Sequence, residues 1–369
     1  MKIERIETFR VAIPLIKPFK TALRTVTTAE SVVIKIVCDN GIEGWGEAPP
    51  TVVITGDSLM SIESAIQHVF KPYLVGKSLL NYETIFQAIK TLMVGNSSAK
   101  AAVDMALYDC LSKHCRLPLY QFLGGAKNEI ETDYTVSVNN PEEMGDDAAS
   151  YIDQGFNVLK VKVGKDDIMT DISRIKEIRR RVGNKVKIRL DANQGWQAKD
   201  AVRAIRKMED SLLDIELVEQ PVPADDIEGL KQVTDSVETL IMADESVFTP
   251  KQALQVLSTR SADLINIKLM KAGGIFQAQA INQLAETCGV ECMVGSMIET
   301  KIGISAAAHF AASKKNITRF DFDAPLMLAK DLVEGGISYN GRKITFPDAA
   351  GLGIRQVYSE GGISSGNSA

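Results

Sequence analysis

The sequence predicts an α/β chain: a (β/α)7β barrel preceded by an α+β domain. Three observations lead there. Eight short apolar strands recur through the middle of the chain at steps of 24 to 29 residues, the length that a strand, a helix and two loops require. Helix start and stop signals fall in the gaps between them. Nearly every strand ends in a polar or charged residue, as expected where strand ends face one mouth.

The elements follow in chain order. "KIERIETFRVAIPL" and "SVVIKIVCDNGIEGWGEA" read as strands, the second a hairpin turning at Asp39-Asn40-Gly41, and helical patterns run from about Ser58 to Phe122. The barrel strands are "ETDYTVSV" (131–138), "VLKVKVG" (158–164), "VKIRLDAN" (186–193) and "IELVEQP" (215–221), then "LIMADES" (240–246), "LINIKLM" (264–270), "ECMVGSM" (291–297) and "ITRFDFD" (317–323). Between them, Asn140-Pro141 and Thr249-Pro250 open helices, and Gly155 and Gly289 close them. Ile172, Ile175 and Ile178 recur at helical spacing beside Arg174, Lys176, Arg179 and Arg180, predicting one face toward the core and one toward water. No long helix follows the eighth strand, hence a modified TIM-type barrel. A doubly wound open sheet competes, but no GxGxxG opens the first unit. The expected division is a capping domain at 1–125, the barrel at 126–323, and a segment at 324–369 that packs back on the capping domain and ends in a frayed tail, "EGGISSGNSA".

Composition narrows the function. The 369 residues are 45% hydrophobic and 24% charged with a net charge of -5, so a soluble globular protein is expected. No Lys/Arg stripe suits nucleic acid, and nowhere do about 18 apolar residues run together, so no membrane span is expected. Five cysteines without a CxxC pair suggest neither a disulfide framework nor a zinc site, and a cytoplasmic location fits. A homo-oligomer is the expected assembly.

The chemistry stands at the strand ends. Strand two offers Lys160 and Lys162 on one face, strand three Asp191, strand four Glu219, strand five Asp244, strand six Lys268, and strand eight Asp321 and Asp323. An edge strand with a solvated basic face would also carry the lysine pair, and a lone strand-end Asp is commonly a helix cap. Three carboxylates in register beside lysines on both flanking strands shift that balance, because a cation would offset the acids and the acids make buried lysines tolerable. All-oxygen ligation points to a hard ion, Mg²⁺, one per subunit. His68, His114 and His309 fall in helical stretches, away from these ends. In a closed barrel strands two and six lie opposite each other. Lys162 could then remove a proton beside a metal-bound carboxylate and Lys268 return one from the far side, inverting a stereocentre, with Lys160 depressing the pKa of Lys162.

With these residues the chain resembles the enolase superfamily, in its muconate-lactonizing-enzyme subgroup. Lys160 and Lys162 match the family's KxK, Asp191, Glu219 and Asp244 its metal ligands, and Lys268 its strand-six lysine; "AKAAVDMALYD" (99–109) and "LPLYQFLGG" (117–125) are similar to its domain join. "RFDFDAP" (319–325) resembles the DxD motif of dipeptide epimerases, which implies that Asp321 and Asp323 hold a substrate ammonium rather than pairing with Arg319 or Lys301. "KPFKTALRT" (17–25) and "EAPPTVVITGDS" (47–58) match the capping loops. Arg24 there resembles an arginine that binds an acidic side chain, and the resemblance further suggests Thr135, Ser296 and Ile298 near the substrate. It implies interconversion of L-Ala-L-Glu and L-Ala-D-Glu through an enolate, and a role in cell-wall peptide metabolism. Other dipeptides remain open. So does elimination of the muconate cycloisomerase or o-succinylbenzoate synthase kind, or racemisation of N-acylamino acids, although none of those substrates has an ammonium for the two aspartates. A metal-binding module without catalysis, and a phosphate-binding barrel using "KAGG" (271–274), are the remaining alternatives.

Overall fold

The computed structural model describes residues 1–359 and 362–363. The chain opens with three antiparallel strands, β1 (Ile3–Lys20), β2 (Thr25–Cys38) and β3 (Glu43–Ala48), with Gly41 at positive φ in the predicted hairpin. Helices α1 (Leu59–Ala65), α2 (Lys71–Leu74), α3 (Tyr82–Thr91), α4 (Ser97–His114) and α5 (Leu119–Phe122) follow. The long helix α4 is buried over most of its length and lies on β3. Gly44 and Gly46 permit that approach, because a Cβ on either would run into the carbonyl oxygens of Ala106 and Ala102.

After a short strand, β4 (Glu129–Glu131), comes the alternation: β5 (Tyr134–Val136), α6 (Pro141–Asp153), β6 (Val158–Lys162), α7 (Ile168–Val182), β7 (Lys187–Asp191), α8 (Ala198–Asp210), β8 (Ile215–Glu219) and α9 (Ile227–Thr234). It continues through β9 (Leu240–Ala243), α10 (Pro250–Thr259), β10 (Leu264–Lys268), α11 (Leu269–Ala272), α12 (Ile275–Thr287), β11 (Cys292–Gly295), α13 (Lys301–Ala312) and β12 (Ile317–Phe320). The eight strands β5 to β12 form one parallel sheet in sequential order. Caps fall where the sequence put them: Asn140 accepts from the Glu143 N–H, and Thr249 forms a capping box with Gln252. Among the described residues no helix is long and apolar enough to cross a membrane.

Three details differ from the sequence reading. The segment 131–138 is not one strand: Glu129–Glu131 joins a separate antiparallel sheet, and barrel strand one begins at Tyr134. Strand eight ends at Phe320, so Asp321 and Asp323 lie just beyond its ladder. On α7, Arg174 and Arg179 are buried rather than solvated, the guanidinium of Arg179 donating to the carbonyls of Leu213, Gly183, Val186 and Asp214.

The C-terminal segment consists of β13 (Val333–Gly335), β14 (Ser338–Asn340), β15 (Lys343–Thr345), β16 (Ile354–Ser359) and β17 (Gly362–Ile363). It touches the first domain through bridges Leu15–Leu328 and Pro118–Gly351 and through the Leu352 N–H, which donates to Asp109. The tail read as frayed otherwise lies outside the described residues.

Candidate active site

Parallel register brings the polar strand ends to one level. Lys162 pairs with Asp191 and Asp191 with Glu219 across adjacent strands, Asp244 stands one residue beyond β9, and Lys268 closes β10. All are buried, as is Lys160. Lys160 Nζ lies 3.1 Å from Asp191 Oδ2, 2.8 Å from Glu219 Oε2 and 2.8 Å from Asp321 Oδ2, and Lys162 Nζ lies 2.6 Å from Asp191 Oδ2. Across the site, Lys268 Nζ is 2.7 Å from Asp244 Oδ2 and 3.9 Å from Glu219 Oε1. Burial alone would drive the charge off Lys160, but Asp321, Glu219 and Asp191 outweigh it and raise its pKa well above that of a free lysine. For Lys268 burial is likewise outweighed, here by Asp244 and Glu219.

The acids fit a hard cation. Burial and the neighbouring Asp191 push Glu219 up to about 7, and burial with Asp244 pushes the adjacent Glu245 up to about 8, so this site holds more carboxyl groups than its ammoniums keep ionised. Glu219 Oε2 and Asp244 Oδ1 sit in ion pairs with Lys160 and Lys271 without a well-directed hydrogen bond. Among the described residues no three carboxylates already stand at ligand spacing, because lysine ammoniums lie between them. The donor set remains all-oxygen, as Mg²⁺ prefers.

One pocket above this layer gathers Phe19, Arg24 and Ile54 from the first domain with Thr135, Lys160, Lys162, Lys268, Ser296, Ile298, Asp321 and Asp323 from the barrel. Asp191, Glu219 and Asp244 do not line it and are tied to the lysines that do. Arg24 stands on a turn closed by Thr21, whose N–H donates to the Arg24 carbonyl at 2.9 Å and whose hydroxyl accepts from the Arg24 N–H at 3.2 Å. Its guanidinium is half-buried with no hydrogen bond or ion pair among the described residues, and burial lowers its pKa. Ser296 Oγ donates to the Asp321 carbonyl at 3.4 Å, and the Thr135 N–H donates to Asp323 Oδ2 at 2.6 Å. Burial and then Asp321 raise Asp323 to about 7; burial would also raise Asp321, but Lys160 holds it below its ordinary value. Neither aspartate pairs as the plainer alternative required: Arg319 engages Glu216 and Glu291, and Lys301 engages Asp331.

Sequence reasoning missed the supports of this layer. Asn266 Nδ2 donates to Glu219 Oε1 at 2.8 Å, and the Asn193 N–H donates to Asp191 Oδ1 at 2.9 Å. Lys271 Nζ donates to the carbonyls of Asp244, Val247 and Asn266 as well as pairing with Asp244 Oδ1 at 2.7 Å. The ammonium of "KAGG" is thus spent inside the protein rather than offered to a phosphate. Each support stands within three residues of a predicted site residue, the one signal that could have found it.

An eight-stranded parallel barrel with lysines on β6 and β10 beside three strand-end carboxylates, preceded by an α+β domain, defines a class. The chain belongs to the enolase superfamily: residues 4–124 match the mandelate racemase/muconate lactonizing enzyme N-terminal domain, and residues 143–356 match the enolase C-terminal domain-like family. Among individual proteins it is 70% identical over 354 residues to the L-Ala-D/L-Glu epimerase of Bacillus subtilis, covering 96% of this chain and 97% of that one. It is 49% identical to the L-Ala-D/L-Glu epimerase of Clostridium acetobutylicum, covering 94% and 97%. A solved structure of a substrate-liganded complex of the Bacillus subtilis enzyme superposes with a TM-score of 0.95 over 96% of this chain and 99% of that one. A dipeptide epimerase from Enterococcus faecalis complexed with Mg and L-Leu-L-Tyr, 45% identical, superposes with a TM-score of 0.93 over 96% and 100%.

Proposed function

We propose that the protein is an isomerase that epimerises dipeptides, interconverting L-Ala-L-Glu and L-Ala-D-Glu by two-base proton transfer. The observation that carries this is the pair Lys162 and Lys268, on β6 and β10, four strands apart in the eight-stranded order and lining one pocket together with Asp321 and Asp323. Asp321 and Asp323 receive the N-terminal ammonium by charge-assisted hydrogen bonds, and Arg24, whose guanidinium has no hydrogen bond or ion pair among the described residues, receives the side-chain carboxylate of the second residue. With both ends fixed, the α-carbon of the second residue lies between the two lysines. The lysine facing its hydrogen takes that proton as a free amine, and the opposite lysine, an ammonium, gives one to the other face. The reverse reaction exchanges the roles. Ser296 and Ile298 hold the substrate backbone beside Thr135.

Asp191, Glu219 and Asp244 would hold Mg²⁺, which when bound supplies positive charge beside the substrate carboxylate and makes the α-proton more acidic. We read the chain accordingly as a capping domain at 1–125 that closes over a catalytic barrel at 126–323, with the described part of the segment 324–369 fastening the two. The contacts of Leu15 with Leu328 and of Pro118 with Gly351 support that division.

Proton NMR of L-Ala-L-Glu with the protein and Mg²⁺ in deuterium oxide tests the proposal. Loss of the glutamate α-proton signal with growth of L-Ala-D-Glu, both stopped by a chelator, is the expected result. Silence here, and with a library of other dipeptides, would overturn it.

A further inference from the structure

The barrel's ladder runs from β5 to β12, and among the described residues no ladder joins β12 back to β5. That seam carries the ammonium site, since Thr135 is on β5 and Asp321 and Asp323 follow β12. Three bonds close it. The Asp133 N–H donates to the Phe320 carbonyl at 3.3 Å, the Thr135 N–H to Asp323 at 2.6 Å, and the Phe322 N–H to Thr132 Oγ1 at 2.8 Å. A fourth comes from outside the barrel: the Tyr339 hydroxyl donates to the Phe322 carbonyl at 2.7 Å.

Two peptide units separate Asp321 from Asp323, and both are held: besides the 3.4 Å bond from Ser296 Oγ to the Asp321 carbonyl, each has one anchor from beyond the strand ends. Thr132 takes the N–H of the first and Tyr339 the C=O of the second. Tyr339 belongs to the antiparallel sheet β4–β15–β14 and Thr132 directly follows its strand β4: Tyr339 pairs with Ile344, Ile344 pairs with Ile130, and the Thr132 N–H donates to the Arg342 carbonyl at 2.9 Å. The Thr132 hydroxyl donates to the Asp133 carbonyl at 3.1 Å while it accepts from Phe322, so its one proton is spent. The ring of Phe322 is wholly buried, so the peptide cannot swing without leaving the core. Past the ladder's end the Asp321 N–H still donates to the Val294 carbonyl at 3.0 Å, and Lys160 and the Thr135 N–H meet the two carboxylates; the small sheet adds the bonds to the Phe322 backbone between them.

We propose that Tyr339 and Thr132 are positioning residues for recognition of the substrate ammonium, clamping the Phe322 backbone so that Asp321 and Asp323 converge on one cation. This rests on the reading that those aspartates hold the ammonium. Burial raises the Tyr339 phenol well above its ordinary pKa, which keeps it a hydroxyl donor throughout the neutral range.

The test compares L-Ala-L-Glu with N-propionyl-L-glutamate, the same shape without the ammonium, in wild type, Tyr339→Phe and Thr132→Val. Wild type should bind the dipeptide much more tightly than the propionyl compound. Tyr339→Phe should raise KM for the dipeptide about tenfold with little change in kcat, as expected when a hydrogen bond that aims a binding group is lost, and leave the inhibition constant of the propionyl compound in place. Thr132→Val should do the same if it folds; Tyr339→Phe, which removes one oxygen from a half-buried side chain, decides the question in either case. Equal weakening of both ligands, or no change in either, would overturn the clamp while leaving the ammonium reading intact. Wild type binding both ligands equally would overturn the ammonium reading, and the clamp with it.

Discussion

Lys162 and Lys268 each meet the pocket with a carboxylate at hydrogen-bond distance, Asp191 at 2.6 Å and Asp244 at 2.7 Å, so each is held in place from below. Two-base transfer predicts a particular failure when one is removed. Lys162→Ala and Lys268→Ala should each lower epimerisation by about 10²- to 10⁴-fold, the usual worth of a general acid or base. Each variant should still exchange the α-proton of whichever diastereomer presents it to the surviving lysine. Deuterium exchange of L-Ala-L-Glu and L-Ala-D-Glu, followed separately, checks this; loss of both exchanges in both variants would count against opposed bases. The aspartates give a prediction in pH. Asp323, raised to about 7, faces Asp321, Asp133 and Lys160 and the phenols of Tyr134, Tyr151 and Tyr339. A raised carboxyl pKa means that the folded state holds this proton more tightly than the unfolded state from about pH 4 to 7, so the group costs stability as pH rises through that window. Ammonium binding needs the carboxylate, so kcat/KM for the dipeptide should climb with pH through about 7, until the substrate's own ammonium, of ordinary pKa about 8, begins to titrate. Asp323→Asn should remove that limb along with much of the affinity, whereas a limb unchanged in the variant would assign it to another group.

Elements explain what was legible and what was not. The strand-end residues could be read because side-chain alternation and the barrel's repeat put Lys162, Asp191, Glu219, Asp244 and Lys268 at equivalent places without knowledge of any distant contact. The ends of the barrel could not. Glu129–Glu131 leaves the first strand to pair with Lys343–Thr345, and Lys343 binds Glu129 across 214 residues of sequence, a partnership that no local pattern announces. The burial of Arg174 and Arg179 was hidden likewise, because amphipathic spacing does not show that loop carbonyls wait above an arginine. A further non-local device joins the capping domain to α13. Glu47, at the end of β3 and fully buried, accepts from the Thr300 N–H at 2.9 Å, the Thr300 hydroxyl at 2.6 Å, the Gly303 N–H at 2.9 Å and the Ser31 hydroxyl at 2.7 Å. A carboxylate from one domain thereby satisfies first-turn donors of a helix in the other, where the helix dipole also favours negative charge. Glu47→Ala would leave those donors buried and unpaired, a loss of roughly 2 to 4 kcal/mol. Urea unfolding should show it as a lower midpoint, with Glu47→Gln, which keeps the shape and some of the bonds, falling between the alanine variant and wild type.

At the scale of the whole molecule, the pocket exists only because two domains meet. Phe19, Arg24 and Ile54 come from the capping domain, the lysines and aspartates from the barrel, and the C-terminal strands hold the seam. Beneath them lie acids that cannot all ionise on their own, Glu219 pushed up to about 7 and Glu245 up to about 8 by burial and by their acidic neighbours. A cation that binds this layer binds the folded chain and not the unfolded one, so it must raise stability by mass action: about 2.7 kcal/mol at a hundredfold excess over its dissociation constant. For a chain of this size that corresponds to roughly 3 to 4 °C in melting temperature. Thermal melts of the chelated protein titrated with Mg²⁺ should therefore shift upward without any substrate present. Glu219→Gln should abolish the shift because it keeps the side chain's volume and removes the charge. Lys268→Ala, which relieves the acids of one competing ammonium, should retain the shift or enlarge it, while losing epimerisation. A melting temperature indifferent to Mg²⁺ in wild type would remove the metal from this site, and Glu219→Gln responding as wild type does would move the ion elsewhere on the chain.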